Sequence, residues 1–318
     1  MFSVTALGEL LIDFTDAGTS VSGQKLFERN PGGAPANVLV ALERLGLSCA
    51  FMGKIGQDMH GDFLRATLQA NDINTDGLIS DPDTFTTLAF VSIDQTGERT
   101  FSFARKPGAD TQLRPEELRR EIIEDSRVFH VGSLSLTDEP ARSATIEAIH
   151  IAKDAGCVLS YDPNYRASLW SDLDTACSQM HSVVSYMDLV KISDEECVLL
   201  TGHADPDAAA QSLLAEGVKV VCVTLDSAGA LVATREGAAV VPSFPVEPVD
   251  TTGAGDSFWG GFLCAFLDSK LKPEDVTLDD AKAYARFGNA VASLCVRSRG
   301  AIPAMPTLAE VEQLLQQN

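Results

Sequence analysis

Short apolar segments alternate with helical patterns along most of this chain. Six runs rich in valine, isoleucine and leucine have the length and composition of β-strands. They are residues 4–8, 48–55, 127–132, 157–162, 189–193 and 219–225. Most of them are separated by stretches whose apolar residues recur every three or four positions, as on one face of a helix. This alternation predicts an α/β fold with a doubly wound, mostly parallel sheet that is covered by helices on both faces.

The first helical segment shows the pattern most clearly. Its apolar residues Val38, Ala41, Leu42 and Leu45 stand at positions i, i+3, i+4 and i+7, which places them on one helix face. Gly46 follows directly, and a glycine after the last apolar position is typical of a helix C-terminus. The segment therefore predicts a helix that ends beside Gly46.

Two segments interrupt the alternation. Residues 13–33 and 85–104 contain no long apolar helix, and the second predicts a β-hairpin with strands at 86–93 and 99–104 and a turn at 94–97. Long segments without a helix usually carry function. We therefore expect the two segments to form a small β-sheet that acts as a lid, although two ordinary surface loops would give the same pattern. No Pro/Ser-rich linker and no internal repeat divides the chain, which predicts one domain with this lid.

The predicted hairpin carries apolar residues that a two-stranded ribbon cannot bury alone. These residues are Leu88, Phe90, Val91, Phe101 and Phe103. Pairing with the same surface of a second subunit would cover them. The pattern therefore predicts a homodimer that forms through the lid.

Composition narrows the classes of function. The chain has 318 residues and a net charge of −21, and its basic residues form no run, so nucleic acid is a poor partner. No apolar run approaches the length that spans a bilayer, and the N-terminus has no basic region ahead of an apolar one, so we expect no membrane association and a cytoplasmic location. The seven cysteines include no Cys-x-x-Cys pair and the five histidines show no metal-ligand spacing, which argues against disulfides and against zinc.

The segment from Asp250 to Phe258, DTTGAGDSF, carries the strongest chemical signal. Gly253, Ala254 and Gly255 have almost no side chains, so their N–H groups can approach an anion at the start of the apolar helix that follows. A carboxylate at Asp256 would repel a bound phosphate unless it takes a proton from the group that attacks that phosphate. The segment predicts an anion site with a general base beside it, while a helix start with a glycine-rich approach remains the simpler alternative.

Polar residues elsewhere are suited to a ligand rich in hydroxyl groups. Gly32 and Gly33 allow close backbone approach, and Asn37 offers both a donor and an acceptor from the helix that follows them. Asp13 comes just after the first predicted strand, and ligands of parallel α/β sheets bind beyond the carboxyl ends of strands. The segment Asp162-Pro-Asn-Tyr-Arg166 follows another strand and adds a cation, which could instead be a surface arginine paired with a nearby aspartate.

Two common nucleotide-binding motifs are missing from the sequence. Gly53-Lys54 has no glycine at Walker spacing before it and lies within a predicted strand, and no strand is followed by Gly-x-Gly-x-x-Gly. A P-loop kinase and a nicotinamide-dependent dehydrogenase are both disfavoured.

Together these residues resemble a known family. The segment from Gly32 to Asn37, followed by a helix and Gly46, and the segment from Asp250 to Asp256 are similar in order and spacing to the two signatures of the ribokinase-like (PfkB) carbohydrate kinases. The resemblance extends from Gly8 to about Pro303. Three finer features are most similar to bacterial fructokinases: Gly8-Glu9 with Asp13, the run RKPGAD at 105–110, and DPNYR at 162–166.

The resemblance implies a division of roles at the sugar and phosphate end of the site. Asp256 would be the general base, and Gly253, Ala254 and Gly255 would form the anion hole. The residues implied to bind the sugar are Asp13, Gly32, Gly33, Asn37, Arg105, Asn164 and Arg166.

The same resemblance implies ATP and magnesium as cofactors, and activation by potassium. The implied nucleotide contacts are Lys191, Ser193, Glu196, Thr224, Asp226, Gly229 and Asn289. Glu196 would hold magnesium through water, whereas Ser193 stands where many relatives have an asparagine that contacts phosphate. The implied monovalent-cation ligands are Asp250, Thr252 and Gly300.

These expectations converge on an ATP-dependent sugar kinase that phosphorylates the 6-hydroxyl of fructose. Phosphoryl transfer needs positioning, a divalent cation, charge stabilisation and a base, and the chain offers a candidate for each. 2-Keto-3-deoxygluconate, ribose or a nucleoside remain alternative acceptors. A catalytically silent sugar sensor or assembly protein remains the non-enzyme alternative, although such a protein need not retain Asp256 and its glycines.

Overall fold

The computed structural model describes residues 1–93 and 99–317, and these contain two β-sheets and ten α-helices. The main sheet has nine strands in the order β13-β12-β11-β10-β9-β8-β1-β4-β5. Their bounds are β1 Phe2–Leu7, β4 Cys49–Gly56, β5 Asn74–Asp81, β8 Ser126–Gly132, β9 Val158–Asp162, β10 Leu189–Ser193, β11 Val220–Thr224, β12 Ala230–Thr234 and β13 Gly237–Val241. The strands from β5 to β11 in this order are parallel, and β12 and β13 add an antiparallel hairpin at one edge.

Helices pack on both faces of the main sheet. They are α1 Ala34–Arg44, α2 Met59–Ala70, α3 Arg120–Glu124, α4 Ala141–Asp154, α5 Leu173–His181, α6 Asp194–Thr201, α7 Pro206–Ala215, α8 Ala254–Ser269, α9 Leu278–Cys295 and α10 Leu308–Gln317. One apolar core joins strand residues such as Phe51 to α1, α8 and α9. A second core joins Phe129 and Tyr161 to α4 and α7. Neighbouring strand residues contribute to different cores because side chains of a strand alternate between its faces.

The predicted fold class is confirmed, and all six predicted strands are present with ends that differ by at most two residues. The apolar pattern did not predict the other three strands of the main sheet. β5 contains polar residues and a glycine, NTDGLISD, while β12 and β13 consist largely of small residues. β5 and β13 are the two edge strands and are partly exposed, which leaves a weaker hydrophobic signal. β12 is fully buried, but it is only five residues long and two of these are alanine.

Helix α1 has the predicted apolar face and terminus. Gly46 has a φ of 90°, which lies in the left-handed region that glycine adopts at little cost. The N–H of Leu47 donates to the carbonyl oxygen of Leu42 at 3.1 Å, which satisfies one of the last free carbonyls of the helix. At the other end, the helix follows Gly33, whose φ of 120° admits the sharp entry of the chain.

The two segments without long helices pair in one small sheet of order β3-β2-β6-β7, which we call the lid sheet. Its strands are β2 Leu11–Thr19, β3 Lys25–Gly32, β6 Leu88–Ile93 and β7 Arg99–Ala104. β2 and β6 are parallel, which joins the two segments. The predicted turn at 94–97 lies outside the described residues, and so does the side chain of Phe101.

The lid sheet is attached to the main body by a group of polar side chains that we call the lid root: Glu9, Thr87, Arg105 and Asp110. One oxygen of the buried Glu9 carboxyl accepts the N–H of Ala34 at 2.8 Å, which links the entry of β2 to the exit of β3. Asp110 accepts hydrogen bonds from Thr87 and Arg105, which links the two ends of the β6–β7 hairpin. Buried carboxyl groups, those of Glu9 and Asp110, therefore hold the segments that connect the lid sheet to the main sheet.

No helix within residues 1–93 and 99–317 is both long and apolar enough to cross a membrane. The cytoplasmic location stays a prediction.

Candidate active site

The candidate site lies at the carboxyl ends of the parallel strands, the usual place for ligands in such sheets. Asp162, Ser193 and Thr224 are the last residues of β9, β10 and β11. Helix α8 begins opposite them at Ala254. Strand ends and a helix N-terminus thus meet at one edge of the main sheet.

The N-terminus of α8 has the glycine geometry that the sequence suggested. Gly253 has a φ of 77°, and a Cβ atom there would lie 2.6 Å from the Cβ of Ala301. A Cβ on Gly255 would lie 3.0 Å from Nζ of Lys191. The N–H of Ala254 donates to the carbonyl oxygen of Thr251 at 3.2 Å, whereas those of Gly253 and Gly255 have no acceptor in the described part of the chain. Two of the three predicted N–H groups are therefore free to bind an anion.

Asp256 lies in the first turn of α8, and the residue is only 8% exposed. Asn37 donates to one carboxylate oxygen at 2.8 Å, and Asn164 approaches the other at 3.4 Å. Burial raises the pKa of Asp256 to about 6, and the nearby charge of Asp162 adds to this, while Asn37 and the charge of Lys191 oppose it. The group is ionised at neutral pH and is still a stronger base than an ordinary aspartate.

Asp13 reaches the same site from the lid. The sequence predicted Asp13 just past the first strand, at the start of a lid segment, and it is the third residue of β2 in the lid sheet. Burial raises the pKa of Asp13 to about 6, the charge of Arg166 lowers it, and the charge of Asp256 raises it. A Cβ on Gly32 would lie 2.9 Å from Cγ of Asp13, so the glycine leaves room for this carboxylate.

Asn37 lies on the face of α1 toward Asp256 and is 6% exposed. Its Nδ2 donates to Asp256, while its Oδ1 is buried and has no partner in the described residues. A buried acceptor without a donor is costly unless a ligand supplies one. The arrangement suits a hydroxyl group held beside the carboxylate.

A buried ion pair lies behind the N-terminus of α8. Lys191 of β10 donates to Asp162 of β9 at 2.8 Å, and the two side chains are 7% and 2% exposed. Burial alone would lower the pKa of Lys191, but the charges of Asp162 and Glu196 outweigh it and raise the pKa. Lys191 therefore remains an ammonium group next to Gly255.

Ser193 and Glu196 form a capping box at the start of α6. Ser193 accepts the N–H of Glu196 at 3.3 Å, and Glu196 accepts the N–H groups of Ser193 at 2.8 Å and of Tyr165 at 2.6 Å. No group of three metal-ligating side chains occurs within residues 1–93 and 99–317. Each oxygen of Glu196 keeps one lone pair, so the carboxylate can still accept a hydrogen bond from water or bind a ligand.

Three of the implied nucleotide residues, Thr224, Asp226 and Gly229, lie at the turn between β11 and β12. Asp226 has a φ of 47° and Gly229 a φ of 106°, and a Cβ on Gly229 would lie 2.6 Å from the backbone nitrogen of Ser243. Thr224 ends β11 and its hydroxyl donates to Ile192 at 3.4 Å. Asn289 on α9 donates to the carbonyl oxygens of Val241 and Pro242, which holds the chain after β13 against the helix.

The three residues implied for a monovalent cation are joined by Asp250. One of its oxygens accepts the N–H and the hydroxyl of Thr252 at 3.0 and 2.7 Å. The other accepts the N–H of Gly300 at 3.0 Å. The loop before α8 and the loop at Gly300 are thus held together beside the site.

The two arginines implied for the sugar have different surroundings. Arg105 is buried, and its three nitrogen atoms donate to Asp110, Thr137 and the carbonyl oxygen of Leu134 at 2.8 to 2.9 Å. Arg166 is exposed, and its charge acts on Asp13 and Asp256. The structure brings Arg166 to the site and engages Arg105 at the lid root.

One buried polar chain near the site was not predicted from the sequence. Trp259, on the first turns of α8, donates to Ser160 of β9 at 2.9 Å, and Ser160 also pairs with His130 of β8 at 3.0 Å. Burial lowers the pKa of His130 to about 3, so its ring is neutral. No local pattern indicates this hydrogen-bonded group, because its three residues are far apart in the sequence and each has the surroundings of an ordinary core residue.

Comparison with known proteins gives a consistent result. Residues 1–308 match the pfkB family of carbohydrate kinases. The chain is 42% identical to a probable fructokinase of Arabidopsis thaliana, over 99% of this chain and 97% of that protein.

Two solved structures show the same fold. A fructokinase from Xylella fastidiosa with bound ATP has a TM-score of 0.90 and 35% identity, and the match covers 99% of this chain and 98% of that one. A double mutant of the fructokinase from Vibrio cholerae O395, solved with fructose, ADP and a potassium ion, has a TM-score of 0.88 and 34% identity, with coverage of 99% and 98%.

Proposed function

This chain belongs to the pfkB family of carbohydrate kinases, and from that premise we propose that it transfers the γ-phosphate of ATP to the 6-hydroxyl of fructose. The observation that supports this most directly is the position of Asp256. Its buried carboxylate has a pKa of about 6 and lies in the first turn of α8, beside the free N–H groups of Gly253 and Gly255. The relatives and solved structures named fructokinase favour fructose as the acceptor.

In the proposed reaction the sugar lies between the lid sheet and the N-terminus of α8. The free Oδ1 of Asn37 accepts one hydroxyl, and Asp13 accepts another from the lid side. Asp256 takes the proton of the attacking hydroxyl as the bond to phosphorus forms. Gly32 leaves room for the carboxylate of Asp13, and Gly33 leaves room for the backbone carbonyl group of Glu9.

The negative charge that develops on the transferred phosphoryl group has several partners in this chain. The N–H groups of Gly253 and Gly255 point from the helix N-terminus, where the helix dipole is also favourable. Lys191 adds a buried positive charge behind them, and Arg166 adds an exposed one in front. Bound magnesium would supply further neutralisation of the phosphate oxygens, and Glu196 would hold it through water.

We assign the nucleotide to the strand ends next to β10. Thr224, Asp226 and Gly229 would line its phosphates and ribose, and Asn289 would fix the segment beside the adenine. Ser193 serves the helix as its N-cap, so we propose that the side-chain phosphate contact made by asparagine in many relatives is absent here.

The loops joined by Asp250 would bind a monovalent cation through their oxygen atoms, close to the N-terminus of α8. Such a cation would order Thr252 and Gly300 without adding a mobile side chain. We expect activity to rise when sodium is replaced by potassium at constant ionic strength. Equal rates in the two salts would count against this site.

A neutral sugar fits the arginines better than an acidic one. An acidic substrate such as 2-keto-3-deoxygluconate needs a cation directed at its carboxylate. All three donor nitrogen atoms of Arg105 are engaged at the lid root. Arg166 is then the remaining candidate of the two, and we assign it to the phosphate because its charge acts on Asp256.

We also propose a homodimer through the lid sheet. Phe27 on β3 is 39% exposed and makes an edge contact with Phe90 on β6. Val21, at the tip of the β2–β3 hairpin, is fully exposed. Exposed apolar residues on a thin sheet are typical of a surface that a second subunit covers. Light scattering that shows a monomer at working concentration would contradict the dimer.

The deciding experiment measures ADP release with magnesium, ATP and a panel of fructose, 2-keto-3-deoxygluconate and ribose. We expect kcat/KM to be highest for fructose. A preference of about tenfold for either competitor, equivalent to about 1.4 kcal/mol, would contradict fructose as the acceptor but would still support a sugar kinase. No sugar-dependent ADP release with any sugar would favour the silent sensor instead.

A further inference from the structure

Helices α1 and α8 each carry one partner of the hydrogen bond that orients the base. Asn37 of α1 donates to Asp256 of α8 at 2.8 Å. Four residues further along each helix, and therefore on the same helix face, stand Ala41 and Gly260. These two residues form the next contact between the helices.

The contact at Gly260 is closer than any side chain would permit. A Cβ atom built there would lie 2.6 Å from the Cβ of Ala41 and 3.2 Å from the carbonyl oxygen of Val38. Nonbonded carbon atoms have their optimal separation near 3.5 to 4.0 Å. The distance between α1 and α8 therefore depends on the missing side chain at position 260.

The separation of α1 and α8 affects the chemistry of the site because Asn37 lies between Asp256 and the space for a ligand. Its amide is 6% exposed, its Nδ2 is bound to Asp256, and its Oδ1 has no partner in the part of the chain that the structure describes. The free oxygen is the acceptor offered to a ligand, and the nitrogen holds the carboxylate. A change in the separation of the helices would displace the ligand acceptor from the base.

We propose that Gly260 is a positioning residue for the transfer reaction, because it sets the spacing of α1 and α8 at which Asn37 holds Asp256 and the acceptor hydroxyl together. The proposal rests on the proposed role of Asp256 as general base. Gly260 itself touches neither substrate nor nucleotide in this scheme.

The test begins with Gly260→Ala, which adds one methyl group between the helices. We expect kcat to fall by about tenfold or more, since displacement of a reacting group by a fraction of an ångström to 1 Å costs about 10 to 100-fold. The KM for ATP should change by less than about threefold, because none of the proposed nucleotide side chains lies on α1.

Gly261→Ala is a matched control on the same helix. Its new Cβ would lie 2.8 Å from Cγ2 of Val291 and 2.9 Å from Cα of Gly288, so the crowding is similar but is directed at α9. We expect a comparable fall in melting temperature and a kcat within about twofold of wild type, measured well below the melting temperature of every variant.

Ala41→Gly provides a rescue. In the double variant Ala41→Gly/Gly260→Ala the methyl group moves from α1 to α8, and only the 3.2 Å contact with Val38 stays tight. We expect the double variant to recover kcat to within about threefold of Ala41→Gly alone.

Equal losses of kcat in Gly260→Ala and Gly261→Ala, or no recovery in the double variant, would overturn the proposal. The assignment of the base is decided separately by Asp256→Asn. If that variant stayed active the base role would fail, whereas the ratio of kcat between the two alanine variants would still report whether the spacing of α1 and α8 controls the reaction.

Discussion

Asp110 at the lid root and Asp256 at the candidate active site are both buried aspartates, and the two side chains have different partners. Asp110 at the lid root is 5% exposed, forms an ion pair with Arg105 and accepts the hydroxyl of Thr87. Asp256 is 8% exposed, and within the described residues its side-chain donors are two neutral amide groups, one of them at 3.4 Å. The fold supplies the first carboxylate with a counter-charge, whereas no cation in the described part of the chain is in direct contact with the second.

The difference separates a structural role from a chemical one. A buried charge with a full set of partners stabilises one arrangement of the chain, whereas a buried charge with few partners has a shifted pKa and is available to a ligand. Asp13 resembles the second kind although it is only half-buried: burial raises its pKa to about 6, and its carboxylate has no hydrogen-bond donor within the described residues. Four experiments would break or sharpen this comparison.

The largest effect is expected for Asp256→Asn. The amide has the same shape but cannot accept the proton, and general base catalysis contributes about 10² to 10⁴-fold. We expect kcat to fall by that factor while the KM for ATP stays similar, as measured by coupled ADP release. A variant that kept a tenth of the wild-type kcat would contradict the role of Asp256.

The same substitution at the two carboxylates should change stability in opposite directions. Asp110→Asn removes the closest counter-charge of the buried Arg105 and leaves Asp138 at 3.9 Å as the next carboxylate. Removal of one partner of a buried pair costs about 3–5 kcal/mol. Because the folded protein raises the pKa of Asp256 from 3.8 to about 6, its ionisation lowers the free energy of unfolding as pH rises through this range. The asparagine of Asp256→Asn cannot ionise, so the free energy of unfolding of this variant does not fall in that way as pH rises. The variant should be more stable than wild type at pH 8, by roughly 2–3 kcal/mol at most.

Denaturant unfolding of the two variants at pH 8 and at pH 4 measures this contrast. At pH 4 the wild-type Asp256 is protonated in the folded state, so the gain from Asp256→Asn should largely disappear. A destabilised Asp256→Asn at pH 8 would mean that the carboxylate is better satisfied than its contacts indicate.

A third effect is expected in the pH dependence of catalysis. The base must be ionised, so kcat/KM for the sugar should fall about tenfold for each pH unit below about 6. Asp13 and Asp256 influence each other's charge, so the midpoint belongs to the pair and not to either residue alone. A flat profile between pH 5 and pH 8, at saturating ATP, would contradict the raised pKa.

The sequence predicted the sheet, α1 and the start of α8 because each depends on a local pattern. The apolar periods and the positions of Gly46 and Gly253 are visible within a few residues. The lid root was not predictable in this way, because Thr87 and Asp110 meet only after β6 and β7 have paired and the chain has returned to the main sheet.

For the candidate site, the sequence predicted individual residues but not the contacts between them. Asp256 and Asn37 were assigned through short motifs, but the hydrogen bond between them joins residues 219 positions apart. Lys191 and Asp162 were both in noted segments, yet their pairing depends on the neighbouring positions of β9 and β10. Local patterns identify such residues, and only the packing of helices and strands decides which of them touch.

The smallest effect that distinguishes the two regions is expected at their arginines, which the sequence could not tell apart. Arg166 is exposed and acts on Asp13 and Asp256 through its charge, so Arg166→Ala should leave the melting temperature unchanged and lower kcat by about tenfold, more than it raises the KM for fructose. Arg105→Ala removes the partner of Asp110 and should mainly lower the melting temperature. Steady-state kinetics and thermal unfolding of both variants decide the matter. If Arg166→Ala instead raised the KM for the sugar with kcat retained, Arg166 would bind the acceptor and not the transferred phosphate, and an acidic sugar would again become a candidate substrate.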